Sequence, residues 1–328
     1  MVKTVKFWVE NSRWVSLPQS LMPAVVAVAL AASHPDFSIL LSVLAVIGVG
    51  MAHLSFNLFD DYFDYKKNKP GIRDTLARAG VRARIGKCTY LTSGEATVNQ
   101  LLVVALIFGG IAGLFGLGIF AHRGFDILWV VLILMFLGLS YSAEPLRLSY
   151  RGLGELTIGF IFGPLLIAGV YLSASGSLGL EAILIGTALG LLVTNILYTH
   201  SALDLAADSS VGKLTLAGLA PTWKVPISFI LMLLPYVIIL AGVGFGLLNL
   251  WFLLTFLTLP RAIALIRSIL DFYRNPQEIP ARRWWYGSMQ KWDEIKETEL
   301  EWFMIRWYLA RNLLTAFSFI IILVAILG

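Results

Sequence analysis

The chain has 328 residues, of which 58% are hydrophobic and only 14% are charged. This composition excludes an ordinary soluble domain, because such domains carry about 25% charged residues. The net charge of +5 fits a face that meets anionic lipid headgroups, and no pattern in the sequence indicates nucleic-acid binding. The sequence therefore predicts a protein whose surface lies mostly in lipid.

Apolar runs that can cross a bilayer occur along the whole chain. A helical span needs about 20 apolar residues. Because backbone groups in lipid must be paired internally, and the runs lack strict alternation, helices are predicted rather than barrel strands. We predict an all-α bundle of about nine transmembrane helices around a central cavity, forming one domain over residues 1–328. The predicted spans are 18–33, 38–59, 97–120, 126–143, 154–174, 180–200, 225–245, 248–266 and 308–327.

Basic residues indicate how this bundle is oriented. Lys and Arg collect in alternate loops, and Arg123 is the only basic residue in the loops of the opposite side. The positive-inside rule then places the N-terminus in the cytoplasm. We expect an integral protein of a bacterial cytoplasmic membrane, with long cytoplasmic loops at about 60–96 and 267–304. The second loop is rich in Trp and predicts an interfacial helix, with a lid over a functional site as the alternative.

The first acidic cluster follows the second predicted span. If that helix continues, Asp60 and Asp64 share one face, while Asn57 and Asp61 lie on a neighbouring stripe. Closely spaced carboxylates repel one another unless a cation offsets their charge. Mg²⁺ prefers such oxygen ligands. The alternative is a solvated helix end that is neutralised by lysines such as Lys66.

The second acidic cluster, Asp204 and Asp208, ends the sixth predicted span with the same four-residue spacing. Carboxylates at or near membrane depth are costly and are therefore functional candidates. Two carboxylate pairs can hold magnesium ions that clamp a diphosphate and stabilise its leaving oxygens. The predicted metal ligands are Asp60, Asp64, Asp204 and Asp208. Basic side chains available to the remaining phosphate oxygens are Lys66, Lys67, Arg82, Arg84, Lys87 and Lys213.

These clusters resemble the motifs of the UbiA-type intramembrane prenyltransferases. The Asn-Asp-x-x-Asp motif of that family is similar to Asp60, Asp61 and Asp64. Its Asp-x-x-x-Asp motif is similar to Asp204 and Asp208, and a Gly-Lys-x-Thr-Leu element follows at residues 212–216. Asp60 stands where the family often has Asn, a difference that adds negative charge and keeps an oxygen ligand.

Residues 141–155 resemble the branch of the family that prenylates 1,4-dihydroxy-2-naphthoate. By this resemblance, Tyr141, Arg147 and Arg151 are candidates to bind diphosphate or an acceptor carboxylate, and a plain positive-inside anchor is the alternative for the arginines. His200 stands where naphthoate-type members usually have Asn, and a buried structural histidine is the alternative to a catalytic role. His53 is expected to be structural.

The resemblance implies magnesium-dependent transfer of a polyprenyl group from an allylic diphosphate to an aromatic acceptor, 1,4-dihydroxy-2-naphthoate, in menaquinone biosynthesis. Other acceptors, namely 4-hydroxybenzoate, homogentisate or a porphyrin-derived alcohol, stay open. An ion-coupled transporter is disfavoured, because its site would lie near the midplane. The candidate catalytic residues are Asp60, Asp61, Asp64, Asp204 and Asp208. The candidate substrate-binding residues are Asn57, Lys66, Arg82, Arg84, Lys87, Tyr141, Arg147, Arg151, His200 and Lys213. Nothing in the sequence fixes the oligomeric state or the prenyl chain length.

Overall fold

The computed structural model describes residues 4–67, 88–210, 212–276, 278–290 and 292–328. Within these ranges the chain is built from helices, and its one isolated β-bridge joins Arg151 to Leu214. Three predicted phosphate ligands, Arg82, Arg84 and Lys87, lie outside the described residues. The all-α prediction is confirmed.

Each predicted span corresponds to a helix in the described part of the chain. Eight of these helices are long and apolar enough to cross a membrane, and α1 is shorter, with 14 residues. The helices are α1 Pro18–Ala31, α2 Ile39–Lys67, α3 Val98–Arg123, α4 Phe125–Ser142, α5 Gly154–Ser175, α6 Leu180–Leu203, α7 Lys224–Gly244, α8 Leu250–Arg274 and α9 Glu301–Leu327. We call the end of the bundle where α2 and α6 end and α9 begins the basic end.

Helices α8 and α9 continue beyond their predicted spans. The predicted spans end at residue 266 and begin at residue 308, whereas the helix α8 continues to Arg274 and the helix α9 starts at Glu301. The added turns carry charged residues, yet each also buries apolar side chains, such as Ile269 on α8 and Phe303 on α9. Hydropathy marks the part of a helix that lies in lipid, and these helices continue beyond it because they pack against each other.

The centre of the bundle is the contact between α5 and α6, which are mostly buried, whereas α3 and α4 bury few of their residues. Glycines allow a very close approach between these two central helices. A Cβ atom on Gly163 would lie 2.3 Å from the Cα of Gly190, and one on Gly190 would lie 2.6 Å from the carbonyl oxygen of Gly159. Gly163 and Pro164 also interrupt α5 with a π-helical turn at Ile161–Leu165. Small residues therefore set the spacing of the central helices.

Among its described residues, the polar segment between α8 and α9 contains only short helices, Trp284–Tyr286 and Trp292–Glu297, where the sequence predicts an interfacial helix. We call residues 278–290 and 292–300 the strap. Several of its backbone carbonyl groups accept hydrogen bonds from side chains of α8 and α9. The pairs are Arg306 with Glu278, Arg261 with Trp285, Asn312 with Tyr286 and Ser288, and Tyr308 with Gln290. For these carbonyl groups of the strap, hydrogen bonds to side chains take the place of hydrogen bonds within a helix. They bind the strap to the bundle.

Candidate active site

A cavity of about 1780 Å³ runs through the bundle. It extends from Asp64 and Lys213 at the basic end to Phe120 and Ile127 near the opposite end of α3 and α4. Its middle is apolar and includes several glycines of α3. The cavity thus has a charged end and a long lipophilic part.

The first acidic cluster lies on α2, which continues through it to Lys67. This continuation places Asp60 and Asp64 on the cavity side, as the four-residue spacing predicts. Asp61 is only 2% exposed and does not line the cavity. The hydroxyl of Tyr90 donates a hydrogen bond to Asp61 Oδ2 at 3.1 Å, and burial, followed by the charge of Asp61, raises the pKa of Tyr90 above its usual range. A catalytic role for Asp61 stays a prediction.

Arg13 is a cation at the site that the sequence reasoning missed. Its Nη2 atom lies 2.9 Å from Asp60 Oδ2 and 3.4 Å from Asp61 Oδ1, and it also donates to the carbonyl oxygen of Asn57 at 2.7 Å. Burial by itself lowers the pKa of Arg13, but Asp61 and Asp60 raise it above its ordinary value. The hydroxyl of Ser142 donates to Asp60 Oδ1 at 2.5 Å. Both oxygens of Asp60 therefore have donors within the protein.

The loop between α4 and α5 connects the two acidic clusters. The hydroxyl of Tyr150 donates a hydrogen bond to Asp64 Oδ1 at 2.9 Å. In the same loop, the N–H of Gly152 donates to the carbonyl oxygen of Leu214 at 2.8 Å. The guanidinium of Arg147 lies 3.8 Å from the centre of the Tyr150 ring. Residues 147–152 thus hold Asp64 in a fixed relation to the segment that follows Asp208.

The second acidic cluster is buried at the end of α6. Asp204 follows the last residue of α6, Asp208 lies in the short helix Leu205–Ser210, and each is 2% exposed. Lys213 lines the cavity, and its Nζ atom lies 3.4 Å from Asp208 Oδ1. Neither aspartate is among the cavity-lining residues. Lys213 is the part of this cluster that faces the cavity.

Glu155 positions this second cluster. Its carboxylate accepts hydrogen bonds from Ser201 Oγ at 2.6 Å and from the backbone N–H of Leu216 at 3.1 Å. These bonds tie the Gly-Lys-x-Thr-Leu element to α5 and α6. The sequence gives one signal for the role of Glu155, because an acidic residue at the start of an apolar span is unusual enough to need a partner. Beside it, Gly154 packs closely against the preceding loop, since a Cβ there would lie 2.8 Å from the Cα of Ser149.

The remaining predicted residues divide into two groups. Those that line the cavity are Asn57, Tyr141 and His200. Those that do not are Lys66, Arg147 and Arg151. Lys66 is exposed and donates to the hydroxyl of Tyr62, and Arg151 is exposed and donates to the carbonyl oxygen of Pro145.

Three of the predicted residues also have contacts that fix part of the fold. The Asn57 side chain donates to the carbonyl oxygen of Ser12 at 2.8 Å, and His200 packs edge-on against Phe303. His53, which is expected to be structural, lines the cavity and contacts two neighbouring elements. Its ring nitrogens lie within hydrogen-bond distance of two serine hydroxyls, and its ring stacks on Phe162.

The fit of a magnesium ion depends on Asp64 and Asp208. Among the described residues, no three His, Cys, Asp or Glu side chains are close enough to bind one ion together. Asp208 Oδ2 is buried and has no hydrogen-bond partner in this part of the chain, and Asp64 faces the cavity. Such carboxylate oxygens match the preference of Mg²⁺. Asp60 fits the role of a magnesium ligand less well, because Arg13 already offsets the charge of its carboxylate.

Comparison with known proteins identifies the family. The sequence profile of the UbiA prenyltransferase family matches residues 20–290. The chain belongs to the UbiA prenyltransferase family. It is therefore an integral membrane enzyme that transfers prenyl groups, and the family that the sequence resemblance indicates is confirmed.

Curated relatives of this UbiA-family chain share modest sequence identity. The 1,4-dihydroxy-2-naphthoate octaprenyltransferase of Bacillus subtilis (strain 168) is 24% identical over 262 residues, covering 78% of this chain and 79% of the relative. The 2-carboxy-1,4-naphthoquinone phytyltransferase of Synechocystis sp. (strain ATCC 27184 / PCC 6803 / Kazusa) is 26% identical over 284 residues, covering 84% and 86%.

Solved structures have the same fold. A structure of digeranylgeranylglyceryl phosphate synthase has a TM-score of 0.62 at 15% identity and covers 98% of each chain. A UbiA homologue from Archaeoglobus fulgidus bound to GPP and Mg²⁺ has a TM-score of 0.59 at 16% identity, covering 96% of this chain and 99% of that one. At such low identity these matches establish the fold of the UbiA-family chain.

Proposed function

We propose that this enzyme transfers a polyprenyl group from an allylic diphosphate to 1,4-dihydroxy-2-naphthoate in a magnesium-dependent reaction of menaquinone biosynthesis. The observation that carries the proposal is one apolar cavity, within a bundle of membrane-spanning helices, whose charged end presents Asp64 and Lys213. The names of relatives such as that from Bacillus subtilis support the choice of acceptor. In this proposal Asp64 and Lys213 bind the diphosphate end of the donor, and Asp208, buried behind Lys213, supplies a carboxylate oxygen to the metal ion.

The donor is activated at the charged end of the cavity. Mg²⁺ held by Asp64 and Asp208 would neutralise the diphosphate and stabilise the charge on its leaving oxygen. Lys213 donates hydrogen bonds to the phosphate oxygens, and its ion pair with Asp208 holds its ammonium group in place. Tyr150 fixes the orientation of Asp64. When the allylic C–O bond breaks, its electron pair leaves with the diphosphate.

The apolar part of the cavity protects the allylic cation that results. Water is excluded there, which prevents hydrolysis of the donor. Phe56, Phe59 and Tyr141 line the cavity near the carboxylates, and their ring faces can stabilise positive charge. The aromatic acceptor then forms the new C–C bond from its electron-rich ring. Its carboxylate leaves as carbon dioxide, the electrons of the broken bond stay in the ring, and the product is the quinol form of a demethylmenaquinone.

The prenyl tail lies along α3. Gly109, Gly110, Gly113 and Gly116 line this part of the cavity and leave room for a chain of methylated carbons. Leu106, Leu114 and Leu117 also line the cavity and are more than half exposed. In this proposal a tail longer than the cavity extends past these residues of α3 into the bilayer.

A panel of acceptors tests the proposal. Purified enzyme in lipid nanodiscs receives an all-trans polyprenyl diphosphate, Mg²⁺ and one of three acids: 1,4-dihydroxy-2-naphthoate, 4-hydroxybenzoate or homogentisate. We expect prenylation of the naphthoate with release of carbon dioxide, measured by mass spectrometry, and no product after chelation of Mg²⁺ with EDTA. Product from 4-hydroxybenzoate alone would reassign the acceptor, and full activity in EDTA would remove the metal from the mechanism.

A further inference from the structure

The N-terminal part of α9 forms one wall of the cavity. We call Phe303, Met304, Trp307, Tyr308 and Arg311 the α9 wall, and all five line the cavity. Phe303, Trp307 and Arg311 repeat every four residues, so they form a single stripe on the helix. At 1.5 Å per residue, Arg311 lies about 12 Å along the helix axis from Phe303, which packs against His200 beside the acidic cluster. The wall therefore carries aromatic surface from the charged end of the cavity to a guanidinium group.

Arg311 differs from the other cations of the cavity. The described residues that line it include three Lys or Arg side chains, Arg13, Lys213 and Arg311. Arg13 is paired with Asp60, and Lys213 is paired with Asp208. No carboxylate of the described residues lies within 4.0 Å of the Arg311 guanidinium. Arg311 thus presents a positive charge to an apolar cavity without an anion from the described part of the protein.

The contacts that Arg311 does make leave most of its donors available. Its Nη2 atom donates to the carbonyl oxygen of Ser288 at 3.3 Å and to Asn312 Oδ1 at 3.4 Å, both long for charged donors. Its guanidinium carbon lies 4.5 Å from the centre of the Tyr308 ring and 5.4 Å from that of Trp307. These rings orient the group by cation–π contact and lie beside it in the cavity. A cation in such surroundings is stabilised by a bound anion.

We propose that Arg311 binds the carboxylate of the aromatic acceptor, whose ring lies against the α9 wall. This inference rests on the proposed function, since it assigns a subsite for the acceptor of that reaction. A guanidinium matches a carboxylate with two parallel hydrogen bonds, and flat rings pack well on aromatic side chains. The proposed function assigns the donor diphosphate to Lys213 and Asp64. Arg311 is therefore available to bind the second anion, which is the carboxylate of the acceptor. Its position fixes which ring carbon faces the donor.

Binding of unreactive probes without donor tests the subsite. The probes are 1-hydroxy-2-naphthoate and its neutral amide, titrated by calorimetry into the full-length protein in nanodiscs. We expect the wild-type protein to bind the acid about tenfold or more tightly than the amide, as is typical of hydrogen bonds to a charged group. Arg311→Met should remove this preference, and Arg311→Lys should keep part of it. Equal binding of acid and amide by the wild-type protein would overturn the proposal, whether or not the variants fold.

Asn312→Ala is the matched control for a purely structural role of Arg311. Asn312 donates to the carbonyl groups of Tyr286 and Ser288, so its removal weakens the attachment of the strap more than the loss of one long bond from Arg311 does. We expect this variant to keep the preference for the acid. Loss of the preference in Asn312→Ala, or a raised KM for the polyprenyl diphosphate alone in Arg311→Met, would contradict the assignment. Because these titrations use no donor, they remain decisive even if dihydroxynaphthoate is not prenylated.

Discussion

Asp60 and Asp64 look equivalent in the sequence, but their surroundings differ. Arg13 and Ser142 donate to the two oxygens of Asp60, so its charge is already offset within the protein. Asp64 accepts a hydrogen bond from the hydroxyl of Tyr150 and faces the cavity. We therefore expect Asp64 to meet a bound cation in the cavity, whereas Asp60 holds the N-terminal segment against α2.

We predict that Asp64→Asn lowers the single-turnover rate of prenyl transfer by about a hundredfold or more, because it removes charge from the metal and diphosphate site. Asp60→Asn should lower it by less than about tenfold, since Asp61 still lies 3.4 Å from Arg13. Both rates are measured in nanodiscs at saturating Mg²⁺, with melting temperatures to confirm folding. Equal losses in the two isosteric variants would refute this division of roles.

The contact between α5 and α6 determines where Glu155 and Ser201 meet, and it depends on glycines. A side chain at Gly163 or Gly190 would meet backbone atoms of the other helix, which cannot move aside as a flexible side chain can. Sequence reasoning did not find the close contact of Gly163 with Gly190, because two different helices contribute its two halves.

Gly190→Ala should destabilise the enzyme by about 1–3 kcal/mol, because the added Cβ overlaps the carbonyl oxygen of Gly159. The measurement is the melting temperature in nanodiscs. Gly244→Ala is the matched control, since a Cβ at this position on α7 meets nothing within 4 Å. We expect little change in that variant, and a similar drop in melting temperature for both would show that crowding between α5 and α6 is not the cause.

The whole bundle places its chemistry at one end. Asp64, Lys213 and the second acidic cluster gather where α2 and α6 end, and α3 and α4 expose mostly apolar side chains. At the opposite end, Arg123 donates to the carbonyl oxygens of Ser173 and Ala174 and caps the end of α5. The distribution of basic residues predicts that the basic end faces the cytoplasm.

Cysteine labelling in intact cells tests this orientation. Cys88, the only native cysteine, is buried, and Cys88→Ser supplies a background without thiols. In that background we expect a membrane-impermeant maleimide to label Asp126→Cys, which is exposed at the end opposite the basic end. Glu297→Cys, exposed on the strap, should be labelled after the cells are lysed. The reverse pattern would place the active site on the outer side of the membrane.

The sequence alone determined the nine apolar helices found in the described part of the chain, and the end of the bundle at which both acidic clusters lie. Lipid allows few backbone conformations, so hydropathy along the chain is enough to locate the spans. Only the tertiary structure decided which carboxylates face the cavity and which cations they contact. Arg13 and Ser142 reach Asp60 from 47 and 82 residues away along the chain. Such contacts depend on how helices pack around one another, and no local pattern of residues encodes that packing.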